Sequence, residues 1–546
     1  MSVKHFFILL SLLTAALGAR AQSAGNDTVL KGSTIEVIQS YKPEVKQAPK
    51  PEWIPQLPPA DTTHPALNLE VPQQTLYYTY SSQPLRPLAL GKDAPLPLFQ
   101  SYVKAGGGNL GTIFLDAGTD ALSGKDYETD FHLHHISQKG SIQNEKTALS
   151  GIEADGLYHT DNNDWHAGIQ AERNQYYYYG YDHIKYDFPA DSVKQVYTTV
   201  RATVDMKNKA DSSDKLLYHP AITASLYDAK LNTSETSIGL NAPFTYRMDT
   251  SIDMLCNFTG VITDYKTKVW STYNNFAQLA PGIALHHGPM SGHALLGLAL
   301  GSDGRGYILP DVLAAFTLPD TRYIVSAGWQ ASLRRNTFEE LSTENPYVLN
   351  NYNVIEQTRK DEVFLGLSGA VLDHFIFSVR GSWWHFNNLP TYLNDTGDQK
   401  QFYIVYDNVK ALSFHAAARY TDANIWSVGA TGDFYRYYNG TQLYVWQEPS
   451  VKIKGDFTIN PSAKFMVTAY IALLSGLHAR DISGNAVNMK PIADIGCNGE
   501  YQIIRRLSAF LQVNNLLNDK YQRWYGPGNG YQSYGLNIYG GLRLKF

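Results

Sequence analysis

The sequence predicts an all-β fold, a transmembrane antiparallel β-barrel of about 22 strands, and three observations lead to it. Charged residues make up only 17% of the 546 residues, and the chain holds 38 Tyr and 43 Gly, whereas ordinary globular proteins have roughly 25% charged residues. Beyond residue 21 there is no apolar run near 18 residues, the length that a membrane-spanning helix needs. From Phe99 to the last residue, apolar and polar side chains instead alternate with a period of two.

The last strand shows this alternation clearly. Leu542, Leu544 and Phe546 fall on one face, and Arg543 and Lys545 fall on the other. A strand between lipid and a polar lumen needs apolar side chains on the outside and polar ones on the inside. A soluble β-sandwich also alternates, but many such strands after an export signal favour a barrel.

The number of strands comes from counting such segments. The first is centred near Ile113, and two successive ones are centred near Val405 and Ala417. About 20 residues are available for each strand and its connection, enough for a spanning strand of 9–11 residues and a turn. An even number places both barrel ends in the periplasm. This count predicts a periplasmic connection at Asn336–Lys360 and an extracellular loop at Asn514–Ser533.

The first residues predict export. Lys4 begins a short polar segment, Phe6 to Leu17 are mostly apolar, and Ala19-Arg20-Ala21 resembles a cleavage site. These are the three parts of a signal peptide, so residues 1–21 are expected to be removed. An exported barrel of this type is expected in the outer membrane of a Gram-negative-type envelope.

Residues 22–98 are expected to form a separate, extended segment before a barrel at 99–546. Twelve of the 25 prolines lie between Lys42 and Leu98, and each Pro removes a backbone donor and fixes φ. The segment is interpreted either as a linker or as a tether that reaches into the barrel lumen or toward a periplasmic partner.

The search for catalytic chemistry argues against an enzyme and predicts no cofactor. Gly106-x-Gly108-x-x-Gly111 matches a dinucleotide pattern, but strand residues follow it where a helix is required. His132 and His134 share a strand face without a third ligand at a suitable spacing, so no metal site is predicted. The net charge of −5 gives no reason to expect nucleic-acid binding.

Cysteines and aromatic residues give further expectations. Cys256 and Cys497, the two cysteines of the chain, are expected to face lipid unpaired from distant strands. Three aromatic sets are interpreted as an interfacial girdle; they are Tyr176 to Tyr179, Trp383-Trp384, and Tyr435 with Tyr437 and Tyr438. Around the last loop, a girdle and a sugar-stacking surface remain equally favoured; its aromatic residues are Tyr521, Trp524, Tyr525, Tyr531 and Tyr534.

Several segments resemble a known family. Asn515-Leu516-Leu517-Asn518-Asp519-Lys520-Tyr521, followed by a last strand that ends at Phe546, resembles the C-terminus of TonB-dependent receptor barrels. Asn345-Pro346-Tyr347 fits this family more loosely, and Ser101 to Gly106 resembles the first strands of a receptor-like barrel group of the Bacteroidota type. The resemblance implies that Leu542, Leu544 and Phe546 form the signal read by the barrel-assembly machinery.

Two N-terminal features bear on how such a receptor would work. The family carries a folded plug domain before its barrel, while residues 22–98 are short and Pro-rich, so the chain looks plugless. The lumen would then be filled by this segment, by inward-folded loops, by bulky side chains or by a partner. Ser33, Thr34, Ile35, Glu36, Val37 and Ile38 are similar to a TonB box, which binds by adding a strand to the partner's sheet; an ordinary extended tether is the alternative.

Two functions remain open at this stage. The first is a plugless component of an outer-membrane protein assembly that binds partners and catalyses no reaction. The alternative is a TonB-linked or partner-assisted transporter of a solute across the outer membrane. The expected partners are outer-membrane lipid, the barrel-assembly machinery, and TonB or other outer-membrane and periplasmic proteins.

Overall fold

The computed structural model describes residues 101–209, 214–230, 233–319, 322–349, 356–422, 425–438, 440–526 and 530–546, with the backbone alone at 120–122. The predicted signal peptide, the Pro-rich segment and the TonB-box-like segment Ser33 to Ile38 lie outside the described residues. No helix of the described residues is both long enough and apolar enough to cross a membrane.

Long strands dominate the described chain. Their bounds in chain order are β1 Ser101–Gly108, β2 Ile113–Ser123, β3 Tyr127–Lys139, β4 Lys146–His159, β5 Asn163–Tyr177, β6 Lys194–Asn208, β7 Ala221–Ala229, β8 Thr233–Arg247, β9 Ile252–Lys266, β10 Phe276–His287, β11 Met290–Leu300, β12 Gly306–Thr317, β13 Tyr323–Arg334, β14 Thr358–Val371, β15 Phe375–Asn394, β16 Phe402–Asp422, β17 Trp426–Tyr438, β18 Val451–Ser462, β19 Phe465–Ser475, β20 Ile492–Ile504, β21 Leu507–Asn514 and β22 Asn537–Lys545.

The connections carry the remaining regular elements. The short helices are α1 Ala190–Val193 and α2 Phe338–Glu344, and the short strands are Leu216–Tyr218, Ser271–Tyr273, His478–Arg480, Ala486–Asn488, Gln522–Trp524 and Tyr531–Gln532. The first two short strands extend the main sheet locally, and the other four form two hairpins within connections.

The sheet closes on itself. Strands that follow one another pair antiparallel, and β1 pairs with β22 from Tyr102↔Lys545 to Gly108↔Tyr539. The closed antiparallel barrel of 22 strands confirms the predicted fold class. Both barrel ends lie at one mouth, called the terminus end; the opposite mouth, called the loop end, carries the longest connections.

The predicted number of strands is right because two errors compensate. The sequence count omitted β1, Ser101–Gly108, and divided β16, Phe402–Asp422, into two strands. Between these positions every strand was assigned the opposite direction. The connection at Asn336–Lys360 was therefore predicted at the wrong mouth, since the structure places it at the loop end together with the connection that begins at Asn514.

The outer surface of the barrel is apolar, as the alternation predicts. Leu542, Leu544 and Phe546 are all exposed on the outward face, while Arg543 faces the lumen and bonds to Glu500. A closed barrel with such an exterior is stable only when lipid covers it, so the protein is an integral outer-membrane barrel.

The outward aromatic belt lies at the terminus end. Its members are exposed rings near the strand ends at this mouth: Tyr127, Tyr158, Trp165, Tyr246, Phe465, Tyr501 and Phe546. Amphipathic rings at this position anchor a barrel at the lipid–water boundary. These rings are not the ones that the sequence predicts for this role.

Both cysteines are free, as expected. Cys256 shares the outward face of β9 with exposed Met254 and Phe258, and Cys497 shares the outward face of β20 with exposed Tyr501. Neither is a candidate for a disulfide.

The family-like segment after β21 forms a tight turn that starts the last long connection. Asn515 and Asn518 adopt positive φ angles of 49° and 50°, a conformation that Asn tolerates better than most residues. The side chain of Asn515 donates to the Asp519 carbonyl at 2.8 Å, and Asn518 accepts from the Leu536 amide at 2.9 Å. The two Asn residues thus fix both ends of the connection to β22.

Candidate functional site

Four connections at the loop end fold over the lumen and form what we call the cap. The cap consists of residues 178–193, 335–349, 395–401 and the described parts of 515–536. Its buried core joins Tyr178 and Tyr181 from the first connection, Leu341 and Val348 from the second, and Tyr531 from the last. These segments are far apart in the chain, so the closed barrel is what brings them together.

Aromatic contacts connect the cap to opposite sides of the barrel wall. The ring of Phe338 contacts those of Tyr227 on β7 and Tyr265 on β9, with centroids 5.6 and 5.5 Å apart. The ring of Trp524 contacts Phe402 on β16 at 5.7 Å. Because β7 and β16 are nine strands apart in a ring of 22, the cap reaches from wall to wall and closes this mouth.

The cap segments also contact one another. Tyr347 stacks on Tyr531 with centroids 3.6 Å apart and an interplanar angle of 22°. Tyr179 meets Tyr531 edge to face at 5.0 Å, and the Tyr178 hydroxyl donates to the Val348 carbonyl at 3.2 Å. Three connections are thus packed together through tyrosines.

Helix α2 is the part of the cap that enters the lumen. Its N-cap residue Thr337 accepts from the Glu340 amide at 3.2 Å, and the first helical amide, of Phe338, donates to the buried carboxylate of Glu235 on β8 at 2.7 Å. On one side Glu339 accepts from Arg201 of β6. Wall residues therefore satisfy donors that a free helix end leaves unpaired.

A polar cavity of about 760 Å³ lies beneath α2. Lumenal faces of β5 to β9 form its wall, and its charged lining residues are Glu172, Arg201, Arg334, Arg335, Glu339, Glu340 and Glu344. Arg334 bonds to Glu340 at 3.2 Å and to Glu344 at 3.4 Å. The cavity is large enough for a small solute, and α2 of the cap forms one side of it.

Two carboxyl groups outside the strands have altered acidity: Glu145 is buried, and Glu344 is partly buried, with 30% of its side chain exposed. Burial raises the pKa of Glu344, the nearby charge of Glu448 raises it further, and the Arg334 guanidinium partly opposes both effects. Burial also raises the pKa of Glu145, in the connection between β3 and β4, although the Ile142 amide donates to its carboxylate at 2.9 Å. The folded connections therefore hold protons on these groups more strongly than an unfolded chain does.

The lumen below the cap is lined by histidine–carboxylate pairs. They are His132–Asp116, His166–Asp155, His166–Asp205, His219–Asp205, His293–Asp311 and His415–Asp433, with separations of 2.7 to 3.2 Å. His134 stands beside His132 with ring centroids 5.5 Å apart. Among the described residues, no group of three or more His, Cys, Asp or Glu side chains is arranged to hold a metal ion.

The aromatic sets predicted as a girdle are largely inside the protein. Tyr177, Tyr178 and Tyr179 belong to the buried core of the cap. Four consecutive residues cannot all face lipid because side chains alternate between the faces of a strand; that signal was present in the sequence. Trp383 and Tyr438 do face outward, with centroids 5.5 Å apart.

The aromatic residues of the last loop form neither a girdle nor a stacking surface. Trp524 and Tyr531 are 5% and 3% exposed. The Tyr521 hydroxyl donates to Asp494 at 3.1 Å, and the Tyr534 hydroxyl bonds to the Thr147 hydroxyl at 3.0 Å. Tyr521, Trp524 and Tyr534 hold the last connection against the barrel wall, and Tyr531 holds it against other connections.

No protein-family model and no curated protein matches the chain. Three solved structures share its fold at very low sequence identity. The FrpB iron transporter from Neisseria meningitidis has a TM-score of 0.64 and 10% identity over 82% of this chain and 81% of that chain. The pyoverdine outer membrane receptor FpvA from Pseudomonas aeruginosa PAO1 has a TM-score of 0.63 and 12% identity, covering 83% and 80%. The ferric-catecholate import receptor Fiu from E. coli K12 has a TM-score of 0.61 and 10% identity, covering 82% of each.

These neighbours, an iron transporter, a pyoverdine outer membrane receptor and a ferric-catecholate import receptor, share the barrel fold of this chain. The resemblance that the sequence suggested is thereby confirmed for the fold of the barrel. At 10–12% identity the comparison concerns the fold alone, and the function has to be argued from the site.

Proposed function

We propose that the protein transports a solute across the outer membrane and that the cap is the outer gate of its pathway. The observation that carries the proposal is a polar lumen closed at one mouth by the protein's own loops. A gate must be stable when closed and must also be able to move aside. The connections of the cap are packed by side chains and held at both walls, which makes the closed state stable. They lie at the mouth, a position from which loops can move aside.

The lining of the lumen supports transport over a purely structural role. A barrel that only bound partners would have no need of a charged cavity below its cap. The cavity beneath α2 offers both cationic and anionic groups, Arg335 and Glu172 among them, and the histidine–carboxylate pairs continue the polar lining below. The solved neighbours named as iron transporter and import receptor share this barrel architecture.

The proposal includes energy input from TonB through Ser33, Thr34, Ile35, Glu36, Val37 and Ile38. An extended segment binds by β-augmentation through its backbone donors and acceptors. An Ile35→Pro substitution removes one donor and fixes φ. Full-length protein is expected to bind a purified TonB periplasmic domain, and I35P is expected to lose that binding. The matched control is Ser33→Ala, which keeps every backbone donor. Equal binding by I35P would contradict a TonB box here.

An assembly component is the second candidate function, because the cap closes the mouth with an extensive buried core. In this alternative the barrel is sealed, the chain lacks a plug, and the loops bind other envelope proteins. The proposed signal for the barrel-assembly machinery, Leu542, Leu544 and Phe546, belongs equally to both candidates, since any such barrel has to be inserted.

Single-channel conductance in planar bilayers separates the two candidates. We compare full-length protein, a variant lacking Gln22–Leu98, and a cap variant that combines Phe338→Ala with Leu341→Ala. Both substituted residues are fully buried within the core of the cap, and Tyr273→Ala is the control because this ring is 64% exposed at the same mouth. Potassium chloride carries the current.

Each conductance result favours a different function. Closed full-length protein and a conducting cap variant would support gated transport. If the variant lacking Gln22–Leu98 conducts, that segment acts as a plug. If every form stays closed, the lumen is sealed throughout and the assembly role is favoured. A wide-open full-length protein would contradict both candidates.

A further inference from the structure

Outward-facing basic residues are distributed unevenly along the barrel. In the described strands, the Lys and Arg side chains on the outward face all lie in the half nearer the loop end. Lys266 is paired with Asp264 of its own strand at 2.6 Å, and Arg359 with Asp361 at 2.8 Å. The other outward-facing Lys and Arg residues of the described strands have no acidic partner. The largest group of these unpaired residues lies on β3 to β6.

This group consists of Lys139, Lys146, Arg173 and Lys194, and we propose that it binds the phosphate groups of a phosphorylated glycolipid in the outer leaflet. Outward placement follows from strand alternation. Lys139 has the parity of exposed Phe131 on β3, and Arg173 has that of Ile169 on β5, which is 54% exposed.

Three of the four cations form one row across the sheet. Lys139 lies directly opposite Lys146. The pairing of β4 with β5 continues the row to Tyr177, an outward-parity residue whose ring is covered by the cap and only 8% exposed, and Lys194 lies directly opposite Tyr177 on β6. The Lys146 ammonium is 5.9 Å from the Tyr177 ring centroid. Neighbouring strands are about 4.8 Å apart, so the row is about 14 Å wide.

The row lacks balancing negative charge. None of the four cations has an ion-pair partner within the described part of the chain, and like charges directly opposite on paired strands are destabilising. Two acidic groups lie near the row without forming ion pairs with its cations: Asp191 of α1, whose charge acts on Tyr177, and Asp228 on β7, which is two strands from Arg173 through Thr198. An external anion would relieve the repulsion between Lys139 and Lys146.

The depth of the row matches the head-group region. On β4, Lys146 is twelve residues from Tyr158, a member of the aromatic belt at the terminus end. Twelve residues span about 40 Å along a strand, or about 30 Å along the barrel axis at a tilt near 40°. This is about the thickness of the hydrocarbon core, so the row lies at the opposite lipid–water boundary from the belt.

The shape of the site favours a sugar-based lipid with more than one phosphate. Lysine and arginine side chains bind phosphate oxygens through charge-assisted hydrogen bonds. Two-chain glycerophospholipids such as phosphatidylglycerol and phosphatidylethanolamine carry a single phosphate, whereas the row is wide enough for two phosphates on one head group. Below it, exposed Ile152 and Ile169 offer an apolar surface for acyl chains.

Native mass spectrometry of the full-length protein tests the proposal. The added molecules are a bisphosphorylated diglucosamine lipid, its dephosphorylated form, phosphatidylglycerol and inorganic phosphate. The test variant combines Lys139→Gln, Lys146→Gln and Arg173→Gln. The matched control combines Lys410→Gln and Arg436→Gln, which are exposed outward-facing cations at the same end on β16 and β17. Heat-modifiable migration on gels verifies that each barrel is folded.

The bisphosphorylated glycolipid is expected to bind the wild type and the control variant, and at least 10-fold more weakly to the test variant. The dephosphorylated form is expected to bind weakly to all three. Equal binding by the test variant would overturn the proposal, as would equal loss in the control variant. Phosphatidylglycerol or inorganic phosphate binding as tightly as the glycolipid would overturn the choice of ligand. A gated transporter and a sealed assembly component would give the same result, so this test is independent of the proposed function.

Discussion

Glu235 is a single residue on which the position of the cap depends. Its side chain is 3% exposed, and it accepts the first amide hydrogen of α2 from a strand of the wall. A buried donor without an acceptor costs about 1–3 kcal/mol. Glu235 therefore stabilises α2 inside the lumen, where the Phe338 amide would otherwise be buried without an acceptor.

Glu235→Ala is expected to destabilise the cap by about 1–3 kcal/mol, because the Phe338 amide loses its acceptor. The change should appear as faster amide hydrogen exchange of residues 336–349, with the barrel strands unaffected. Glu235→Gln keeps an acceptor oxygen of similar size, so its exchange should be closer to that of the wild type. Equal exchange in Glu235→Ala and the wild type would show that the bond contributes nothing.

The raised pKa of Glu344 predicts a pH-dependent cap. A carboxyl group with a higher pKa in the folded state binds protons more tightly there, so folding stability declines as pH rises from the ordinary Glu value of about 4.5 through the raised value. Residues 336–349 should therefore be better protected at pH 5 than at pH 8, after correction for intrinsic exchange rates. Glu344→Gln should flatten this dependence; the same slope in both proteins would contradict the assignment to Glu344.

At the scale of elements, the cap is an assembly of loops that individually have almost no regular structure. α2 is a helix of seven residues, too short to be stable in isolation. Its stability comes from tyrosines that join three connections and from polar contacts with the wall. Removing a ring at the centre of this contact network should therefore loosen every connection it contacts.

Tyr531→Ala is expected to destabilise the cap by about 3 kcal/mol, as is typical when a buried aromatic ring is removed. The ring contacts Tyr179, Tyr347 and Phe402, so proteolytic cleavage should accelerate in both the 335–357 and the 515–536 connections. Tyr273→Ala at the exposed short strand should leave both rates unchanged. Faster cleavage confined to 515–536 would mean that the connections open independently.

The strands could be predicted from the sequence, but the cap could not. Alternation in the strands is a local property, so the number and faces of most strands could be recognised. β1 was missed because Gly106, Gly107 and Gly108 have no side chains to alternate. The cap could not be predicted, since its core depends on contacts between connections that only the closed barrel brings together; Tyr347 and Tyr531, for example, stack with ring centroids 3.6 Å apart.

At the scale of the whole molecule, closure depends on glycine at the β1–β22 seam. A Cβ atom at Gly541 would lie 2.0 Å from the Ala105 carbonyl oxygen, and one at Gly106 would lie 2.4 Å from the Gly540 carbonyl oxygen. Both contacts are with backbone, which cannot move aside as a side chain can. The first and last strands approach each other closely because these positions carry no side chain.

Gly541→Val is expected to prevent or weaken closure of the barrel, because the added side chain collides with β1. The folded protein should lose heat-modifiable migration on gels and should become sensitive to protease along β1 and β22. Gly499→Ala on β20 is the matched control, since a Cβ atom there meets nothing within 4 Å. Normal migration of Gly541→Val would show that the seam can widen without penalty.

The composition of the cap also determines when it can form during assembly of the barrel. Its core needs Tyr178 from early in the barrel, Val348 from the middle and Tyr531 from just before the last strand. Tyr531 comes shortly before β22, so the core of the cap cannot be complete until nearly the whole chain has folded into the barrel. We therefore expect the cap to form late in assembly, after the lumen that it covers.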